Sequence, residues 1–193
     1  LWKQLCWLNF NQEKSHGGNH YLENLITLIM VGMQFKGKFA QKIVSESLKK
    51  LEIELNSQIL EDGGYEERSA SYHNLILDRL VELGCFLHIV QNHCPSWIYL
   101  NIKKMSLWSQ SIRIMNGKVP LFNDSPIDPY YKVDKIIEFS KAFLSKKFAN
   151  INGLRGHLLK IAFDNNLELS YSKELKYKKS ILHLPQTGWT FLR

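Results

Sequence analysis

The sequence is poor in the features that mark stapled, metal-built or membrane-spanning proteins. It holds 3 cysteines in 193 residues, Cys6, Cys85 and Cys94, and no two of them form a CxxC pair. Such spacing supports neither a zinc framework nor a disulfide scaffold. Cys85 lies in an apolar stretch and reads as a buried residue. No long hydrophobic run is present either. The most apolar stretch, Leu25 to Val31, falls far short of the ~20 residues that span a bilayer, so no membrane insertion is expected. Leu1 to Phe10 is too short and too aromatic for a secretory leader. Acidic residues are the minority, 18 against 25 lysines and arginines, which leaves a net charge of +7 and a pI near 9.2. That excess suits an anionic polysaccharide, a nucleic acid or an anionic membrane surface, or serves solubility alone. The basic residues are dispersed, with no basic helix and no known motif, which disfavours nucleic acid.

What is present is an ordinary globular balance, 45% hydrophobic and 22% charged, in a chain long enough to bury one sizeable core. The first three-quarters reads as helices. A short apolar segment, Trp2 to Asn9, precedes a break at Gly17-Gly18-Asn19, where Asn19 suits an N-cap. Tyr21 to Phe35 is apolar on nearly every side and predicts an inner helix. Phe39 to Leu60 keeps helical spacing and ends at Gly63-Gly64. Ser69 or Ser71 caps the next helix, which Pro95 stops, and Pro95-Ser96 opens another that runs to about Met115. Trp97 and Trp108 fall at core spacing on it. Short Gly or Pro breaks between long amphipathic helices predict antiparallel hairpins.

After Gly117 the texture changes. Val119 to Pro126 is a loop rich in turn formers, and Val133 to Phe148 predicts one more helix. From Gly156 the pattern is mixed. Leu167 to Tyr171 alternates as a strand does, and Ile181 to Pro185 with Gly188 to Leu192 predicts two strands and a turn. So few strands cannot bury a sheet face, so a continuation downstream is expected.

Two segments carry groups fit for chemistry. One is Gly17-Gly18-Asn19-His20-Tyr21-Leu22-Glu23-Asn24. The other is Asp62-Gly63-Gly64-Tyr65-Glu66-Glu67-Arg68-Ser69-Ala70-Ser71-Tyr72-His73. Each follows a glycine pair and opens an apolar helix, whose N-terminus offers free N–H groups to an anion. Asn supplies a neutral donor, His a proton that moves near neutral pH, Tyr a phenol and Arg a planar cation. Read singly, each has a plainer use: Asn19 as a cap, the histidines as surface or packed residues, Tyr72 as core, Glu67 and Arg68 as a surface pair. His88 and His93, near one helix end, suit a solvated terminus better than a metal.

Taken in order, these segments resemble the heparinase II/III-like polysaccharide lyases. The likeness lies in Gly18-Asn19-His20 with Asn24, in the run from Asp62 to His73, and in Leu121-Phe122-Asn123-Asp124-Ser125. It spans roughly residues 15 to 125, and Thr187-Gly188-Trp189 resembles the start of the family's β-domain. Tyr65-Glu66 and Ala70-Ser71 depart from the usual pattern.

The resemblance implies a mainly α fold. Residues 1–155 would form an incomplete (α/α) toroid of helical hairpins, and residues 156–193 the start of a truncated β-sheet domain. It implies a lyase that cleaves uronic-acid polysaccharides by β-elimination, with no cofactor and no metal, and a periplasmic setting. A missing C-terminal β-domain would pack on the helical part. Asn19 and His20 would neutralise the substrate carboxylate. Tyr72 would be the base, or the acid for the leaving oxygen. Arg68 would activate Tyr72 or hold a substrate anion, and His73 would be a secondary proton carrier. Glu67, Asn24 and Asn123 would contact substrate. A non-catalytic domain that binds acidic glycan, or an inactive relic, is the alternative.

Overall fold

The computed structural model describes residues 1–15, 17–114, 117–126, 132–147, 151, 153–163 and 181–192. Seven helices occur among them: α1 (Trp2–Phe10), α2 (Gly18–Gly32), α3 (Lys38–Gln58), α4 (Ala70–Gln91), α5 (Ser96–Ile112), α6 (Val133–Ser145) and α7 (Gly153–Phe163). A hairpin of β1 (Ile181–Leu184) and β2 (Trp189–Leu192) follows, paired antiparallel with Leu184 opposite Trp189. The fold is mainly helical, as the periodicity predicts. The strand expected at Leu167 to Tyr171 lies outside the described residues. Among the described residues no helix is long and apolar enough to cross a membrane.

Side-chain contacts fix the direction of each helix. Gly32 meets Val44, while burial, and then the charge of nearby Glu54, raises the pKa of Tyr21 at the other end, so α2 and α3 run antiparallel. In the α4–α5 pair, Asn74 accepts from Ser109 at 2.8 Å, and His88 bonds to Tyr99 near the other end. Ser106 and Ser140 hydrogen-bond between α5 and α6 at 2.8 Å. From α2 to α6 alternate helices therefore run parallel, while α7 runs in the same direction as α4, with Arg155 at Asp78 and Phe163 at His88. Between α2 and α4 the ladder is explicit: Glu23 pairs with Arg79 at 3.1 Å, and Met33 accepts from Gln91 at 3.4 Å near the C-terminal ends. Hairpins of this kind place the N-terminal turns of α2 and α4 at one pole of the molecule.

The main core gathers Leu22, Leu25 and Ile29 of α2, Leu51 and Leu55 of α3, and Leu77, Leu80 and Val81 of α4. A second cluster lies at the pole with the N-terminal turns. There Ala70, Trp108, Ile112 and Val133 pack with Leu184, and Trp189 and Phe191 of the hairpin close on them. Cys85 and Cys94 are buried thiols, as the apolar setting of Cys85 predicts. Trp108 is core, and Trp97 packs half-buried against the core.

Two stretches differ from the sequence reading. Asn19 is not the N-cap: Gly17 is, and Asn19 sits inside the first turn. The reason is local: both Gly17 and Gly18 take positive φ, and the helix starts two residues earlier than a cap at Asn19 would have it. The chain around Gly156 reads as mixed, yet α7 runs through it. Leu159 is buried, and Arg155 forks onto the buried carboxylate of Asp78 on α4 at 2.9 and 2.6 Å. A long-range ion pair and an apolar face hold this helix, and neither shows in local periodicity.

That ion pair carries a prediction. Asp78 is only 2% exposed, so removing its partner strands a charge in the core. Arg155→Met is expected to cost about 3 kcal/mol of stability, read as a shift of the denaturant midpoint at constant slope. An unchanged midpoint would show that Asp78 does not depend on Arg155.

Candidate active site

The two glycine-led segments meet, and a carboxylate joins them. The backbone N–H of Asn19 donates to Oε1 of Glu67 at 3.2 Å. A Cβ on Gly18 would lie 2.5 Å from the same oxygen, so only glycine lets the helix come this close. Glu67 thus occupies the open N-terminus of α2, where a negative charge contributes about 0.3–1 kcal/mol. Tyr65, fully buried, points its hydroxyl at Glu67 (3.2 Å) and Gln58 (3.0 Å). Burial, with Glu67 beside it, pushes the Tyr65 phenol far above its ordinary pKa. Sequence reasoning missed Tyr65, because its role comes from Gln58, seven residues back on another element.

The third segment, the loop at Asn123, locks the second. Arg68 has a positive φ of 54°, a conformation that costs a non-glycine residue on the order of 1 kcal/mol. Asn123 Nδ2 spans this turn, donating to the carbonyls of Glu67 at 2.9 Å and Arg68 at 3.1 Å. Ser125 hydrogen-bonds to the hydroxyl of Ser69 at 3.1 Å and accepts from the N–H of Ser71 at 3.3 Å. Ser69 is the true cap of α4, accepting from the N–H of Tyr72 at 3.3 Å. A strained turn held by surrounding bonds is a common companion of functional sites.

The C-terminal hairpin reaches the same loop. Asp62 accepts from the N–H of Gly64 at 3.0 Å, and from the N–H and hydroxyl of Thr187 at 2.7 and 2.9 Å. The indole N–H of Trp108 donates to Thr187 Oγ1 at 3.0 Å. Gly64 leaves room for this joint; a Cβ there would overlap the Thr187 hydroxyl.

The eight candidate residues now divide. Asn19 has its backbone spoken for, but its carboxamide makes no hydrogen bond among the described residues. His20 is exposed and pairs with Glu13 at 2.9 Å. Arg68 is exposed, and its guanidinium has no partner among the described residues. Tyr72 is half-buried, its ring against the core. These four side chains stand on the first turns of α2 and α4 or on the turn between.

The other four are engaged in holding the frame. Glu67 binds α2, Asn123 binds the Arg68 turn, and Asn24 accepts from the N–H of Glu13 at 2.9 Å. The structure places His73 in the core, not at the surface as a proton carrier requires. It is fully buried, its ring tilted 35° against that of Trp108 with centroids 4.1 Å apart. Its Nε2 meets the Met105 carbonyl at 3.0 Å and so carries the proton, while Nδ1 is buried with no partner. Burial pushes the His73 pKa down to about 3; the Met105 carbonyl and the charge of Asp62 oppose this only in part.

Among the described residues no cluster of His, Cys, Asp and Glu is suited to holding a metal ion. The family model described as heparinase II/III N-terminus matches residues 5–149. No curated protein and no solved structure matches the chain.

Proposed function

We propose that this chain, which belongs to the heparinase II/III family through its N-terminal helical part, serves a polysaccharide lyase acting on uronic-acid chains by β-elimination. The observation that carries the reading is the Asn19–Glu67 bond, because it sets the first turns of α2 and α4 side by side. Around that bond, the Asn19 carboxamide, the Arg68 cation and the Tyr72 phenol share a pole of the molecule.

The chemistry sets what those groups must do. The proton on the carbon next to the uronate carboxylate leaves, a carbon–carbon double bond forms, and the glycosidic oxygen departs with its electron pair and takes up a proton. The carbon acid is weak, so the carboxylate must be neutralised and the enolate-like anion met by fixed donors. The Asn19 carboxamide and the His20 imidazole take that role. The exposed Arg68 guanidinium holds a substrate anion, and its charge offsets that of Glu67, which otherwise repels a uronate. Tyr72 exchanges the proton, as base or as acid to the leaving oxygen. His73 stays out of the proton path, buried against Trp108 and the Met105 carbonyl. A β-domain packed on this pole, as the family resemblance implies, would close the groove and add further groups.

The product of elimination carries a conjugated double bond that absorbs in the near ultraviolet. Incubation with alginate or heparin is expected to raise that absorbance steadily. Binding with no rise in absorbance would instead make the chain a glycan-binding domain.

A further inference from the structure

Helix α1 turns one face inward and leaves another unpartnered. Leu5 is buried with Leu28 and Ile43, and Leu8 packs on the same cluster. On the opposite side, at helical spacings of four and three, stand Lys3, Trp7 and Phe10. Trp7 is 65% exposed and Phe10 78%, the most open aromatic rings among the described residues. The helical rise sets Trp7 and Phe10 about 4.5 Å apart along the axis, with Lys3 about 6 Å further on. Helix α1 contains no acidic residue, and Lys14, also exposed, follows just beyond it.

The stripe begins beside the candidate site. Past Phe10 the chain folds back to Glu13, which is tied to α2 twice. Its N–H donates to Asn24 at 2.9 Å and its carboxylate pairs with His20 at 2.9 Å. Glu13, the acid nearest the stripe in sequence, is therefore committed to His20. A polymer leaving the site past His20 meets Phe10 and Trp7 next.

We propose that Lys3, Trp7, Phe10 and Lys14 form an outlying binding stripe for an acidic polysaccharide. The rings stack on the C–H faces of successive sugars, and the ammonium groups pair with carboxylates or sulfates. Charge complementarity and continuity with His20 commit the stripe to this occupant. The proposal rests on the reading of the chain as one that handles acidic polysaccharide.

The test is affinity electrophoresis of the whole chain in gels holding alginate, heparin or neutral dextran, with sedimentation velocity alongside. The double variant Trp7→Ala, Phe10→Ala is expected to bind alginate or heparin about tenfold more weakly than the unaltered chain, with unchanged melting, because both rings are open to solvent. Lys3→Gln with Lys14→Gln is expected to flatten the dependence of binding on salt. Unchanged retention of the aromatic double variant would overturn the stripe alone. No retention of the unaltered chain by either anionic polymer would overturn both the stripe and the lyase reading. Retention by dextran equal to that by alginate would overturn the acidic partner. A dimer that the aromatic double variant dissolves would assign the stripe to a second copy and overturn the proposal.

Discussion

Replacing Tyr72 with phenylalanine is expected to slow formation of unsaturated product by about 10²–10⁴-fold, the usual contribution of a positioned acid or base. The change deletes one hydroxyl and nothing else. The ring still packs against the core, and the backbone N–H still donates to the Ser69 cap. Stability should therefore hold, and retention on alginate should change little, since binding falls to Asn19, His20 and Arg68. A drop in turnover at constant binding is the signature of an interaction made in the transition state. The readout is the initial rate of near-ultraviolet absorbance, with the melting temperature as control. Equal rates for Tyr72→Phe and the unaltered chain would remove Tyr72 from the mechanism.

The second large effect is on stability in acid. His73 titrates near 6.5 when unfolded, but burial holds it down to about 3 in the folded chain. Between those values the unfolded state binds the extra proton, so stability rises with pH and is lost as pH falls below 6.5. One such group contributes a slope approaching 1.4 kcal/mol per pH unit, or about 2 kcal/mol between pH 6.5 and 5. His88 is lowered by burial and by Lys146 and His93, and it adds to the same trend. A His73→Leu variant isolates the larger share: its stability should fall less steeply over this window. Nuclear magnetic resonance of the unaltered chain gives a second check, since the His73 ring signals should stay constant down to pH 4. A ring that titrates near 6.5 would mean that His73 is open to water and available for proton transfer.

The helical frame was legible because amphipathic period and glycine breaks are local. Gly63-Gly64 and Pro95 mark their boundaries without any knowledge of the fold. What local pattern could not show was which polar groups face each other. Asn19 looks like a cap until two positive-φ glycines shift the helix start to Gly18. Glu67, Asn24 and Asn123 look like ligand contacts, yet each is used across 11 to 56 residues to tie segments together. His73 reads as a companion of Tyr72, but adjacent residues on a helix point about 100° apart, so Tyr72 lies half-buried against the main core and His73 lies against Trp108. Tyr65 and Thr187 fall within the family-like segments, but their hydrogen-bonding roles gave no sequence signal, because their partners lie on other elements. Helix α7 was missed for a like reason: Asp78, its anchor, is 77 residues away.

The joint between Asp62, Thr187 and Trp108 bears on how the chain tolerates cutting. Trimming it after Phe163 would leave a seemingly tidy bundle. It would also strip Asp62 of two of its three donors and uncover Trp108, against which Trp189 now lies with ring centroids 5.3 Å apart. The loop that carries Glu67 and Arg68 would lose its brace on one side. Protease sensitivity should then surface first at that loop, far in sequence from the missing hairpin.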